Sequence, residues 1–157
     1  MRTILAAIDF SSATDPVVAR ATSLARDLDA ELLLIHVAAP DPDFVGFESG
    51  PRGVRDSRAA ELRDEHRRIQ ALTEGIRQTG LDALGLLVQG PTVATILDEA
   101  KRTEAEMVVV GSHSHGALFR ALLGSTSEGL IRAGQTPVLV VPAAREAADR
   151  AASEEAM

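Results

Sequence analysis

The segment MVVVGSHSHGALFRALLGSTSEG, Met107 to Gly129, joins four aliphatic residues to a run rich in glycine, serine and histidine and ends in a helix-opening pattern. An uninterrupted apolar tetrapeptide suits a strand buried on both faces, and glycine directly behind it suits a tight exit. Ser125 to Ala133 then reads as a helix, and PVLVV (Pro137 to Val141) as another buried strand. Strand, glycine-rich turn, helix, strand is the β-α-β unit of a parallel sheet.

Working outward, the same unit recurs. ILAAI (Ile4 to Ile8) is a first strand, and SSATDP supplies cap residues with Pro16 suited to a first helical position. Val17, Val18, Ala21, Leu24, Ala25 and Leu28 follow at helical spacing, before ELLLIHV (Glu31 to Val37) as second strand. AAPDPDFVGFESGPRG reads as a surface loop. A charged helix runs from about Asp56 to Gln78 with Leu62, Ile69, Leu72 and Ile76 on one face, then a third strand, Ala83 to Gly90. PTVATILDEAKRT is a short helix presenting Val93, Ile96, Leu97 and Ala100. Five strands alternating with helices predict an α/β three-layer sandwich with a parallel sheet covered on both faces. Its ligands belong at the carboxyl ends of the strands, near Asp9-Phe10, His36-Val37, Gln89-Gly90, Gly111 onward and Pro142.

The bulk chemistry narrows the partners. The 157 residues fit one domain, with a charged, Ala-rich tail over 143–157. There is no cysteine, so disulfides and thiolate metal sites are excluded. Net charge is −7, Lys101 is the single lysine, and the fifteen arginines are dispersed among acids. With four Phe and no Trp or Tyr, neither a phosphate-tracking basic face nor stacking platforms are present, and nucleic acid is excluded as a partner. Asp9 interrupts the N-terminal apolar stretch too early for a signal peptide, and no apolar run approaches membrane-spanning length. The expectation is a cytoplasmic protein without membrane insertion.

On chemistry alone the opening segment keeps two readings. A helix beginning at Gly124-Ser125-Thr126 presents free N–H groups to an anion. Equally, Ser125 and Glu128 match a capping box that needs no ligand. Asp9 could accept hydrogen bonds from an adenine or ribose, or could cap the amides of Ser11 and Ser12. His36 reads as a satisfied residue at a strand end. His113 and His115 lack further ligands at metal-site spacing, so no metal centre is expected. Gly111 to Gly116 is G-x-x-S-x-G, not the G-x-S-x-G of a nucleophile elbow. No Walker sequence or G-x-G-x-x-G follows a strand, and Gln89-Gly90 and Pro142 stand where a phospho-receiver needs an acid and a lysine.

ILAAIDFSSAT, ELLLIHV, VQGPTVATILDEA and MVVVGSHSHGALFRALLGSTSEGLIRAGQTPVLVVP together resemble the universal stress protein family over residues 2–142. In its nucleotide-binding members the last block reads G-x2-G-x9-G-[ST]. Here Gly111 and Gly124-Ser125 match, and Ser114 stands at the second glycine. The resemblance implies a Rossmann-like sheet of the adenine nucleotide alpha hydrolase type, in strand order 3-2-1-4-5. It implies a protein that binds ATP with magnesium, with Asp9 and Val37 flanking adenine and ribose. Val110, Gly111, Ser114, Gly124, Ser125 and Thr126 then hold the phosphates.

Serine at a position needing positive φ would cost about 1 kcal/mol, while its hydroxyl can donate to a phosphate and Gly116 leaves slack. In that strand order PVLVV is an uncharged edge that needs covering, so a homodimer pairing Val138, Leu139, Val140 and Val141 across a two-fold axis is expected, with the Ala-rich tail folding over the edge as the alternative. The implied role is a stress-response regulator of partner proteins, with no catalytic residue assigned. Two alternatives stand: a pure protein-interaction module, if Ser114 closes the site, or an adenylyl- or phosphoryl-transferring enzyme, for which Arg120 is the nearby cation.

Overall fold

The computed structural model describes residues 1–38, 52–112 and 124–143. In chain order the elements are β1 (Arg2–Ala7), α1 (Thr14–Asp27), β2 (Ala30–Ala38), α2 (Arg52–Arg77), β3 (Ala83–Gln89), α3 (Thr92–Arg102), β4 (Met107–Gly111), α4 (Ser125–Ala133) and β5 (Val138–Val141). The strands form one sheet in the order β3-β2-β1-β4-β5. Every pairing is parallel: Ile4 lies opposite Leu32 and Met107, Leu33 opposite Leu84, and Val109 opposite Leu139. The fold class, strand order and five apolar runs are as the sequence and its resemblance imply.

Period-two alternation sorts the strand residues between two cores. Ile4, Ala6, Ile8, Leu32, Leu34 and Val109 face α1 and α2, meeting Val17, Ala21, Ala25, Ile69 and Ile76. Leu5, Leu33, Ile35, Val108 and Val110 face α3 and α4, meeting Ile96, Ala100 and Leu130. A strand buried on both sides cannot alternate polar with apolar, which is why these runs are unbroken.

Two helix starts differ from expectation. Helix α1 begins at Thr14, so Pro16 is its third residue, still inside the first turn where no N–H is required. Its N-cap is Ala13, without a side-chain cap bond. Helix α2 begins at Arg52, not near Asp56. On α2, Ile69 and Ile76 are buried, while Leu62 and Leu72 are partly so. The rest of the predicted loop (residues 39–51) and the tail beyond 143 lie outside the described residues.

Helix α2 sits closely on β3 because Gly85 has no side chain. A Cβ there would collide with Thr73 Oγ1 and approach Ile69 O to 3.3 Å. Thr73 is fully buried and donates to Ile69 O at 2.7 Å, and Gln70 Nε2 donates to Gly85 O at 3.1 Å. Gly85→Ala should therefore destabilise by about 2 kcal/mol through overpacking. Adding Thr73→Ala should recover at least half of that loss, since the two changes share one contact. Urea unfolding of the single and double variants reads the coupling; additive losses would contradict it.

Candidate functional site

Strand β1 has β2 on one side and β4 on the other, so successive crossovers leave it in opposite directions. The crevice opened there has a volume of about 220 Å³. Its floor is apolar, formed by Ile35, Val37, Ile96 and Val110, and its rim carries Asp9, Thr14, Thr92 and the run Gly124 to Ser127. The first residues of α1, α3 and α4 all border it. The rim is thus built from helix N-termini, whose first-turn amides lack intrahelical acceptors and carry partial positive charge.

The start of α4 decides between the two readings of Ser125. Gly124 is the N-cap, with φ −60° and ψ 155°, and no side-chain cap bond is made. Ser125 is the first helical residue, one position too late to cap. Glu128 instead pairs with Arg132, at 2.9 Å to Nε and 2.7 Å to Nη2. The capping box suggested by S-x-x-E is not formed. The i,i+4 arginine competes for the carboxylate, and the chain enters the helix through glycine.

Ser127, which sequence reasoning passed over, organises this entrance. It is 1% exposed, and its hydroxyl lies 3.3 Å from Ser112 O and 3.2 Å from Gly124 O. The N–H of Gly124 also donates to Ser112 O. The two ends of the glycine-rich segment are tied together at one carbonyl. A buried hydroxyl at the third position of a helix beginning G-S-T-S was the available signal.

Across the crevice, Asp9 Oδ1 accepts the N–H of Ser11 at 3.0 Å. Ser11 Oγ accepts the N–H of Ala13 at 3.2 Å. Of the two amides expected for Asp9, Ser11 is held and Ser12 is not. The other carboxylate oxygen makes no further hydrogen bond among the described residues. Asp9 is exposed and is the single ionisable side chain among the described lining residues.

Behind Asp9, Phe10 adopts φ 59°, an uncommon conformation for a bulky residue. Its ring packs on His36 with centroids 4.6 Å apart, and the Arg68 guanidinium lies 4.1 Å over its face. His36 is 7% exposed; its Nδ1–H donates to Ile8 O at 2.9 Å, and Nε2 lies 3.5 Å from Glu65 Oε1. His36 is satisfied at Nδ1 alone, since its buried Nε2 makes no hydrogen bond among the described residues. The clamp fixes the turn that presents Asp9.

Gly111 has a packing reason of its own: a Cβ there would fall 2.6 Å from Ala13 Cβ. The end of β4 thereby abuts the start of α1. The structure brings Asp9, Val37, Val110, Gly111, Gly124, Ser125 and Thr126 around one crevice. Ser114, with His113, His115, Gly116 and Arg120, lies outside the described residues.

A family model described as the universal stress protein family matches residues 1–142. The chain belongs to this family. A universal stress protein from Thermus aquaticus is 35% identical over 143 residues, covering 89% of this chain and 98% of that one. Two solved family structures share the fold. One, from Archaeoglobus fulgidus in complex with dAMP, has a TM-score of 0.61 at 18% identity, covering 90% of this chain and 98% of its own. The other, a universal stress protein in complex with cAMP, has a TM-score of 0.63 at 22% identity, covering 91% and 98%. No helix among the described residues is long and apolar enough to cross a membrane.

The geometry of the α4 entrance carries its own check. Ser127→Ala should cost about 1 kcal/mol, the worth of a buried hydrogen bond, and lower Tm by about 3 °C. Glu128→Ala removes only a surface pair and should change stability by less than about 0.5 kcal/mol. Scanning calorimetry that reversed this ranking would restore the capping box.

Proposed function

We propose that this chain is an adenine-nucleotide-binding regulator, taking ATP with magnesium in the crevice between β1 and β4. The observation that carries the reading is the uncapped start of α4. Ser125, Thr126 and Ser127 offer backbone N–H groups to the rim, with neither a capping side chain nor an intrahelical acceptor to compete for them. The apolar floor suits a base, and the unengaged oxygen of Asp9 suits a ribose hydroxyl or an adenine amine. The dAMP and cAMP complexes of two family members support the same ligand class.

In this reading Asp9 and Val37 flank adenine and ribose. Val110, Gly111, Ser114, Gly124, Ser125 and Thr126 surround the phosphates. The role is binding, with the bound nucleotide altering a surface that a partner protein reads in the cytoplasm. Strand β5 is an edge whose Val138, Leu139, Val140 and Val141 are all half-buried, with no neighbouring strand on the outer side among the described residues, which supports a homodimer closed by pairing that strand with its copy.

Calorimetric titration with ATP and magnesium should give micromolar affinity, weaker for AMP. No heat up to millimolar ATP would leave the chain a protein-interaction module. Gly124→Val should lower ATP affinity at least tenfold while the protein still folds, because φ −60° and ψ 155° accept a side chain. Unchanged affinity would count against the α4 entrance as the phosphate site. Sedimentation over a dilution series should report a dimer, and a monomer at all concentrations would remove the edge-pairing proposal.

A further inference from the structure

Thr14 is 6% exposed, borders the crevice, and its Oγ1 has no hydrogen-bond partner among the described residues. In the neighbouring turn Asp9 Oδ1 accepts from Ser11, Ser11 Oγ from Ala13, and Ser11 O from the N–H of Thr14 itself at 3.1 Å, and none of them accepts from the Thr14 hydroxyl. Thr14 also edges a shallower groove toward α2, bordered by Phe10, Arg68 and Leu72, and that side leaves the hydroxyl equally unpartnered. A buried hydroxyl without an acceptor is a net cost to folding, which makes this one a candidate for a role outside the fold.

Resting on the nucleotide reading above, we propose that the Thr14 hydroxyl is a binding group that donates to a phosphate oxygen of the ligand. Thr14 opens the fourteen-residue helix α1, whose N-cap Ala13 supplies no side-chain bond. Ala13 in turn abuts Gly111, so Thr14 stands beside the end of β4. Val37 and Ile35, the apolar floor assigned to the base, belong to β2 on the other side of β1. A hydroxyl donor and a helix N-terminus on the α1 wall face the free amides of α4 on the opposite wall. A phosphate chain between them is held from both sides.

The test compares wild type, Thr14→Val and Thr14→Ser in the full chain, by titration with ATP, inorganic tripolyphosphate and adenosine, and by Tm without ligand. Valine keeps the shape and removes the donor; serine keeps the donor. Thr14→Val should bind ATP and tripolyphosphate about tenfold more weakly, equal to about 1.4 kcal/mol, with adenosine unchanged. Thr14→Ser should stay within about twofold of wild type, and the unliganded Tm of Thr14→Val should equal or exceed the wild-type value.

ATP bound equally by wild type and Thr14→Val would overturn this inference and leave the nucleotide reading standing. Equal losses for adenosine would move the contact to the nucleoside and overturn it too. A lowered Tm for unliganded Thr14→Val would assign the hydroxyl to the fold. Wild type binding neither ATP nor tripolyphosphate would overturn both readings together.

Discussion

Parallel strands can be joined only by crossovers, and the right-handed crossover is the constraint from which this molecule follows. From β1 the chain moves outward through β2 to β3, which puts α1 and α2 on one face. It then returns past β1 to β4 and β5, which puts α3 and α4 on the other. The reversal leaves two neighbouring strands, β1 and β4, whose following helices depart on opposite faces. Among the described residues no connection bridges the gap between them. The crevice is therefore a product of topology before any side chain is specified, and residues at the ends of β1 and β4 occupy it whatever their identity.

Within that frame, small residues set the distances. Gly111 lets β4 touch the start of α1 at Ala13, and Gly85 lets α2 rest on β3 through Thr73. In both, a strand glycine meets a side-chain atom, Ala13 Cβ or Thr73 Oγ1, and a single methyl group exceeds the available space. Among the described residues Phe10, Asp29 and Glu104 adopt positive φ without being glycine, and at Phe10 that conformation turns the chain out of β1. A non-glycine residue in that conformation persists only when its surroundings over-determine it. Here the His36 ring, the Arg68 guanidinium and the bond from His36 to Ile8 O supply that determination. The cost of the turn is offset on the α2 side, and its benefit, a fixed Asp9, appears on the crevice side.

Much of the fold was legible because both-face burial writes itself as unbroken aliphatic runs, and the helix between β4 and β5 was readable to the residue. The strand order came with the family resemblance; apolar runs alone do not rank strands across a sheet. The site was legible in its backbone positions and less so in its polar details. S-x-x-E at Ser125 is a local pattern, and it lost to a competitor four residues on, Arg132, and to a glycine entry one residue earlier. Thr14 and Ser127 could not be distinguished from ordinary surface hydroxyls by spacing. Thr14 stands beside the end of β4, remote in sequence, and Ser127 is held by Ser112 and Gly124, an arrangement that spacing does not reveal. The Phe10 clamp was hidden for the same reason, since Arg68 and Glu65 reach it from the far side of a long loop.

The chemistry of the crevice has a further logic: among its described lining residues no side chain is cationic. The chain carries −7 overall, and the single ionisable group among the described lining residues is Asp9. A polyanionic ligand therefore gains nothing from long-range steering, which needs clustered basic charge. In the proposed reading, attraction comes from donors a few ångströms away: helix amides and hydroxyls that act only when the ligand is seated. Such donors are fixed by the backbone and need little reorganisation. They reward a phosphate of the right position more than they reward negative charge in general. A site of this kind discriminates by geometry, within a chain of net charge −7. In the proposed reading, selective capture of a small anionic ligand rests on converging helix N-termini, with no lysine or arginine among the described lining residues.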